Sequence, residues 1–189
     1  MRSTGELRGE ILAAARSEFA QYGLAGARID RIARTAAASK ERLYAHFGDK
    51  ETLFHEVLAA DAAEFLAATP LRADAVAEFV GEIYDLARTH PEHFRMINWA
   101  RLEGVDLGPP DGEGLDGPAQ AFAAIRQAQE TGAVDPAWRP DELLVLLFGL
   151  GLAWSSWPDP LAATEDADEI AHRRASAVEA ATRIIAVRT

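Results

Sequence analysis

No cysteine occurs among the 189 residues. The chain therefore has no disulfide framework, no thiolate nucleophile and no Cys-based zinc site. Lysine is nearly absent, with two copies against 17 arginines. Long apolar runs are missing too. The longest, Leu143–Trp154, has twelve residues including two glycines, whereas a membrane span needs about 20. The N-terminal Met-Arg-Ser-Thr-Gly-Glu lacks the apolar core of a signal peptide. These absences set the expectation of a cytoplasmic protein without membrane contact. Strand alternation of useful length and internal repeats are also absent. So are a Gly-rich phosphate loop, a Gly-x-Ser-x-Gly elbow and a Cys/His pair. His90-Pro-Glu-His93 is the one arrangement suggestive of a metal site, but its spacing is not that of the zinc proteases. No enzymatic activity, metal or cofactor is expected.

What is present in excess is alanine, 39 residues, which together with arginine favours helix. The net charge of −11 taken alone argues against a nucleic-acid partner. The charge is unevenly spread, however. Residues 1–50 hold nine basic and six acidic side chains, a net of +3, and the remainder carries −14. Both lysines, Lys40 and Lys50, lie in the first segment. Such asymmetry points to two parts with different partners, divided here as residues 1–50 and 51–189.

The chain reads as all-α, with about nine helices. Ser3 and Glu6 form a capping box that opens the first helix, whose apolar face is Leu7, Ile11, Ala15, Phe19 and Tyr22. Gly23 is expected to end it as a left-handed C-cap. A short helix follows at about Ile29–Ala36, then a break at Ala37–Ser39 and another short helix at about Lys40–His46, capped by Ser39. Asp49 caps a long helix carrying Leu53, Phe54, Val57, Leu58, Ala62 and Phe65. Further helices are placed around Val76–Leu86, Phe94–Leu102, Pro118–Thr131, Pro140–Ser156 and Glu165–Val187, with a Gly/Pro-rich loop at 104–118.

Three short helices with a tight break before the third describe a helix-turn-helix, in which the third helix enters the DNA major groove. Leu43 belongs to the core. Lys40, Arg42, Tyr44 and His46 point outward, and such side chains suit phosphates and base edges.

The stretch Ile11–Leu58 resembles the DNA-binding domain of the TetR family of bacterial regulators. The matching residues are Ile11-Leu12-Ala13-Ala14-Ala15, Phe19, Gly23, Ile32-Ala33, Ala36, Ser39, Leu43-Tyr44-Ala45-His46-Phe47 and Lys50-Glu51-Thr52-Leu53. The run Leu-Tyr-x-His-Phe-x-x-Lys is its most specific part. The resemblance implies a homodimeric repressor that binds a palindromic double-stranded DNA operator and is released by a small-molecule effector. It places Ser39, Lys40, Arg42, Tyr44 and His46 on the recognition helix and lets Lys50 reach a phosphate. Two positions depart from the family. Ala36-Ala37-Ala38 replaces the usual Ala-Gly-Val of the turn, so Ala37 is expected either to sit strained in the left-handed region, at about 1 kcal/mol, or to shift the turn. Arg28 replaces a hydroxyl residue that caps the second helix, and is expected to contact a phosphate instead. The alternative to a DNA-binding regulator is a helical small-molecule-binding or adaptor protein.

The second part reads as a ligand-binding and dimerisation bundle. Leu143–Phe148 is apolar all round, so its helix needs cover on more than one side. The last helix has a small-residue face. The expected dimer interface is Leu143, Leu146, Leu147, Leu150, Ala177, Ala181 and Ile184, with a wholly intramolecular core as the alternative. Pockets in helical bundles are apolar with a few polar groups. The candidates here are Phe65, Tyr84, Phe94, Ile97, Phe122, Phe148 and Trp154, with Asn98 and Arg101 to orient a polar or anionic group.

Overall fold

The computed structural model describes residues 3–105, 117–157 and 163–188, and among them every regular element is a helix. In chain order these are α1 (Thr4–Gly26), α2 (Ile29–Thr35), α3 (Lys40–Phe47), α4 (Lys50–Ala68), α5 (Val76–Thr89), α6 (Pro91–Leu102), α7 (Gly117–Glu130), α8 (Pro140–Gly151), α9 (Ala153–Ser156) and α10 (Ala167–Ile185). The tenth helix, one more than expected, arises where Leu152 separates α8 from α9. Most of the loop expected at 104–118 lies outside the described residues. No described helix is long and apolar enough to cross a membrane.

The helix starts follow from local chemistry. Ser3 and Glu6 close a reciprocal capping box on α1. The Ser39 hydroxyl accepts from the Arg42 amide at 3.3 Å, and Asp49 accepts from the Thr52 amide at 2.7 Å. Each satisfies a backbone donor that the first turn of a helix leaves without a partner.

Two compact units divide the chain: Met1–Phe65 with His90–Gly114, and Leu66–Thr89 with Leu115–Thr189. The first unit thus extends past residue 50. The reason lies in its core, where Leu53, Phe54 and Val57 of α4 and Met96 and Ala100 of α6 join Ile11, Ala15, Phe19, Ile32 and Leu43. Phe19 and Phe54 meet edge to face at 4.9 Å, the arrangement the ring quadrupoles favour.

Two expectations for α1 need correction. Tyr22 is not on the apolar face but 39% exposed, and the Arg31 guanidinium lies 4.2 Å from its ring centroid. Gly23 has positive φ, yet its φ of 68° and ψ of 179° are not those of a left-handed cap, and helical backbone resumes after it. The helix is broken there rather than ended.

In the second unit α5 packs against α8 and α10, and Val80, Ile83, Ile125, Ala128, Leu143, Leu147 and Ala181 are completely buried. A Cβ at Gly151 would come within 2.5 Å of the Ile83 side chain and 3.0 Å of the Val80 carbonyl, so α5 and α8 touch backbone to side chain there. Arg174 of α10 pairs with Asp85 at 2.7 Å and with Glu78, both on α5.

Candidate nucleic-acid interface

The turn between α2 and α3 is built from three alanines. The Ala38 amide donates to the Ala33 carbonyl at 2.9 Å and the Ala36 amide to the Ile32 carbonyl at 2.9 Å. This wraps the end of α2 in a Schellman-type cap. Ala37 occupies its left-handed position with φ of 48°, the only positive φ outside glycine among the described residues. The turn therefore keeps the geometry that glycine ordinarily serves and carries the strain of a Cβ in it.

α3 emerges from this turn with Leu43 and Phe47 buried. Ser39, Lys40, Arg42 and Tyr44 are exposed, Tyr44 by 46%. His46 is half-buried, its ring 6.0 Å from that of Phe47. Arg28 is exposed at the start of α2, makes no side-chain cap, and its amide donates to Glu18 at 2.8 Å.

The cations of the first segment separate into two groups. Some are already engaged within the unit. Arg8 pairs with Glu56. Arg16 pairs with Asp61 at 2.5 Å and Glu64 at 3.0 Å. Arg31 binds the buried Glu18 through Nε at 2.7 and 2.9 Å. Burial pushes the Glu18 carboxyl up, but the Arg31 hydrogen bonds, the Arg28 amide and the two arginine charges outweigh it and hold its pKa below the ordinary value. Lys40 pairs with Asp30 of α2 at 2.6 Å. The Lys50 ammonium donates to the carbonyls of Ala25 at 3.4 Å and Ala27 at 3.2 Å. Lys40 and Lys50, two of the expected DNA contacts, thus also hold the motif together. Arg28, Arg34 and Arg42 form no ion pair among the described residues. Arg34, exposed in the last turn of α2, was not among the expected contacts. The pattern of basic residues at 28, 31 and 34 contains it, but only the geometry shows that Arg31 is occupied and Arg34 is not.

The candidate ligand residues fall on both units. In the first unit Phe65 and Phe94 are buried and cluster with the His93 ring, which is parallel to Phe65 at 5.5 Å and edge-on to Phe94 at 5.1 Å. Ile97 is half-buried, whereas Asn98 and Arg101 are exposed. They do not lie amid apolar positions, because the inward face of α6 is carried by Phe94, Met96 and Ala100. In the second unit Tyr84 is buried, Phe122 and Phe148 are half-buried and Trp154 is 38% exposed. The residues expected at a dimer interface also divide. Leu143, Leu147 and Ala181 have no exposed surface and serve the core of their own chain, packed between α5, α8 and α10. Leu146 is 43% exposed, and Leu150, Ala177 and Ile184 are half-buried. Val145, 71% exposed beside Leu146, belongs with this outward set.

Two short helices around a tight turn, the second presenting polar and cationic side chains, define a helix-turn-helix DNA-binding protein. Comparison with known proteins names the family. Residues 11–57 match the model of bacterial regulatory proteins of the tetR family. Residues 75–183 match the tetracyclin repressor-like C-terminal domain. The chain belongs to the TetR family and is a helix-turn-helix transcriptional regulator. It is 35% identical over 147 residues to the HTH-type transcriptional repressor SCO4008 of Streptomyces coelicolor, covering 76% of this chain and 75% of that protein. With the HTH-type transcriptional repressor NicS of Pseudomonas putida it shares 38% identity over 143 residues, 71% of this chain and 66% of that one. The crystal structure of SCO4942 from Streptomyces coelicolor superposes with a TM-score of 0.81 at 34% identity, covering 94% of this chain and 97% of that one.

Proposed function

We propose that the protein is a homodimeric repressor that binds a palindromic operator through α3 and leaves it when a small molecule binds the helical C-terminal part. The observation that carries the DNA contact is the set Arg28, Arg34 and Arg42, which form no ion pair among the described residues, on one helix-turn-helix with exposed Ser39 and Tyr44. Arg42, Tyr44 and Ser39 serve the recognition helix, with His46 at its end. Arg28 and Arg34 serve phosphates on either end of α2. Lys40 and Lys50 exchange part of their present bonding for phosphate oxygens. A like set of contacts recurs once per protomer, so a dimer meets two half-sites. Dimerisation is supported by the apolar residues left uncovered on α8, Val145 and Leu146, and half-buried Leu150, Ala177 and Ile184 complete the pairing surface of this reading. Repression is supported by the descriptions of SCO4008 and NicS as repressors.

The test is a gel shift and footprint of the purified protein on the promoter region next to its own gene. Two protected half-sites, separated by about one helical turn or a multiple of it, with affinity falling steeply with salt, are the expected result. A folded protein that binds no DNA sequence over another would overturn the reading. A thermal-shift screen of small molecules, followed by release of the operator by the hits, tests the effector.

A further inference from the structure

The segment that leads α1 into α2, from the break at Gly23 within α1 to Ala27, is a connector bonded on two sides within the first unit. With φ of 68° and ψ of 179°, Gly23 breaks the helix, in a conformation open to glycine and hardly to any other residue. The amides after such a break need new acceptors. They find them on α6. The Glu103 carboxylate accepts from the Leu24 amide at 3.0 Å and from the Ala25 amide at 3.2 Å. Beside it the Trp99 indole donates to the Ala20 carbonyl at 3.2 Å. A Cβ at residue 23 would lie 2.8 Å from the Trp99 ring and closer still to Glu103, so glycine is required here for approach as well as for φ.

Glu103 is itself held in place. It follows α6 in a second Schellman-type wrap, with its amide on the Trp99 carbonyl at 2.9 Å and the Val105 amide on the Ala100 carbonyl at 2.8 Å. Gly104 supplies the positive φ of 68°, and Val105 packs against the core. The carbonyls of the connector are taken from the other side. Lys50 binds those of Ala25 and Ala27, and Arg31 binds that of Gly26 at 3.2 Å. The connector's amides are thus held by an acceptor at the end of α6, and its carbonyls by donors on α2 and α4.

We propose that Glu103 is a positioning residue for DNA binding: its carboxylate, by capping the amides of Leu24 and Ala25, sets the angle at which α1 hands the chain to α2 and hence the pose of α2 and α3 on the operator. The residue is 57 positions beyond the last side chain of α3 assigned to DNA and touches none. This inference rests on the operator binding proposed above, and its experiment separates the two.

Full-length wild type, Glu103→Ala and Glu103→Gln are titrated against operator and against unrelated DNA, with thermal unfolding and backbone amide exchange on the same preparations. Glu103→Ala loses about tenfold in operator affinity, changes by less than about twofold on unrelated DNA, and exchanges the Leu24 and Ala25 amides about tenfold faster, as expected when charged acceptors are withdrawn. Glu103→Gln keeps one acceptor oxygen and loses about threefold on the operator. A folded Glu103→Ala protein with wild-type operator affinity overturns the proposal, and so does equal weakening on both DNAs. Should Glu103→Ala not fold, Glu103→Gln decides: a loss of about threefold with faster Ala25 exchange supports the proposal, and wild-type values in both overturn it. A wild-type protein that ignores every operator sequence overturns the DNA reading, and this proposal with it, whereas normal wild-type binding with an indifferent Glu103→Ala overturns this proposal alone.

Discussion

The two compact units leave different things undone on their surfaces. The first buries a core between α1, α4 and α6, and on its helix-turn-helix Arg28, Arg34 and Arg42 form no ion pair among the described residues. The second also has exposed arginines without an ion pair among the described residues, Arg88, Arg126 and Arg188, but none of them lies on a helix-turn-helix. Arg173, Arg174 and Arg183 are paired with acids, and what sets this unit apart is an exposed apolar set: Val145, Leu146, Trp154, Trp157 and Val187. The difference teaches what each unit lacks. One presents unpaired arginines around its helix-turn-helix, as suits a polyanion. The other presents uncovered apolar side chains on α8 and α9, as suits another protein surface.

The largest effect is expected from breaking the second half of that comparison. In the proposed dimer, the double substitution Val145→Glu/Leu146→Glu would place carboxylates against their own copies across a two-fold axis. Charges of one sign so juxtaposed cost several kcal/mol. Dimer dissociation should strengthen by about a hundredfold or more, read by analytical ultracentrifugation at micromolar concentration. An unchanged sedimentation profile would mean that the uncovered α8 residues face solvent.

Next comes the acid that completes the first unit. Glu18→Ala leaves the Arg31 guanidinium and the Arg28 amide without their acceptor, and should cost about 2 kcal/mol of stability in urea unfolding. The same group gives a pH dependence. Its folded pKa lies below the ordinary 4.5, so its contribution is complete above that value and disappears as pH falls through the lowered folded pKa. Stability of the wild type should therefore drop below about pH 4.5 more steeply than that of Glu18→Ala. Parallel curves would remove Glu18 from the account.

The spare cations sharpen the comparison at smaller cost. Arg42→Ala should lose about 1–3 kcal/mol on the operator and relax preference at one base position, whereas Arg28→Ala should weaken all sequences alike and lower the salt slope by about 1. Titrations at several salt concentrations on operator and scrambled DNA distinguish the two roles. If both behave as Arg28 is expected to, α3 reads no base through Arg42. The smallest effect belongs to the turn. Ala37→Gly relieves the left-handed Cβ and should stabilise the protein by up to about 1 kcal/mol, offset in part by the greater freedom of glycine in the unfolded chain. A loss of stability would mean that the Ala37 side chain is worth more than its strain.

Charge divides the chain at residue 50, a different place from the boundary of the two compact units. The whole chain carries −11 and its first 50 residues +3. Much of that positive charge is spent inside the unit, on Glu18, Asp30, Glu56, Asp61 and Glu64. Non-specific attraction to DNA should accordingly be modest, and the recognition helix should carry more of the binding.

Helix identity and most helix ends were legible because their causes are local. Ser3 with Glu6, Ser39 with Arg42 and Asp49 with Thr52 are bonds over three residues, and the apolar spacing of Leu7, Ile11, Ala15 and Phe19 repeats within one helix. The left-handed Ala37 was legible as one of two outcomes, since a tight turn between short helices leaves few backbone conformations. The outward side chains of α3 followed from Leu43 alone. Less visible was which cation is free. Arg28, Arg31 and Arg34 are alike in the sequence, and only the approach of Glu18 and Tyr22 engages Arg31. The placing of Asn98 and Arg101 failed for a related reason: a short helix with apolar residues at 94, 96, 97 and 100 has more than one possible inner face, and packing against α1 chose the one that leaves them out.

Composition, helix caps and periodicity thus specify an all-helical chain with a helix-turn-helix at its start, because each of these depends on neighbours no more than one or two turns away. The acceptor for the Leu24 and Ala25 amides is 79 and 78 residues distant, and the faces of α6 and α8 that are covered depend on where other helices lie. Those choices are made by long-range packing and by the need to satisfy backbone groups exposed at a break, and a pattern along the chain does not encode the distance between its parts.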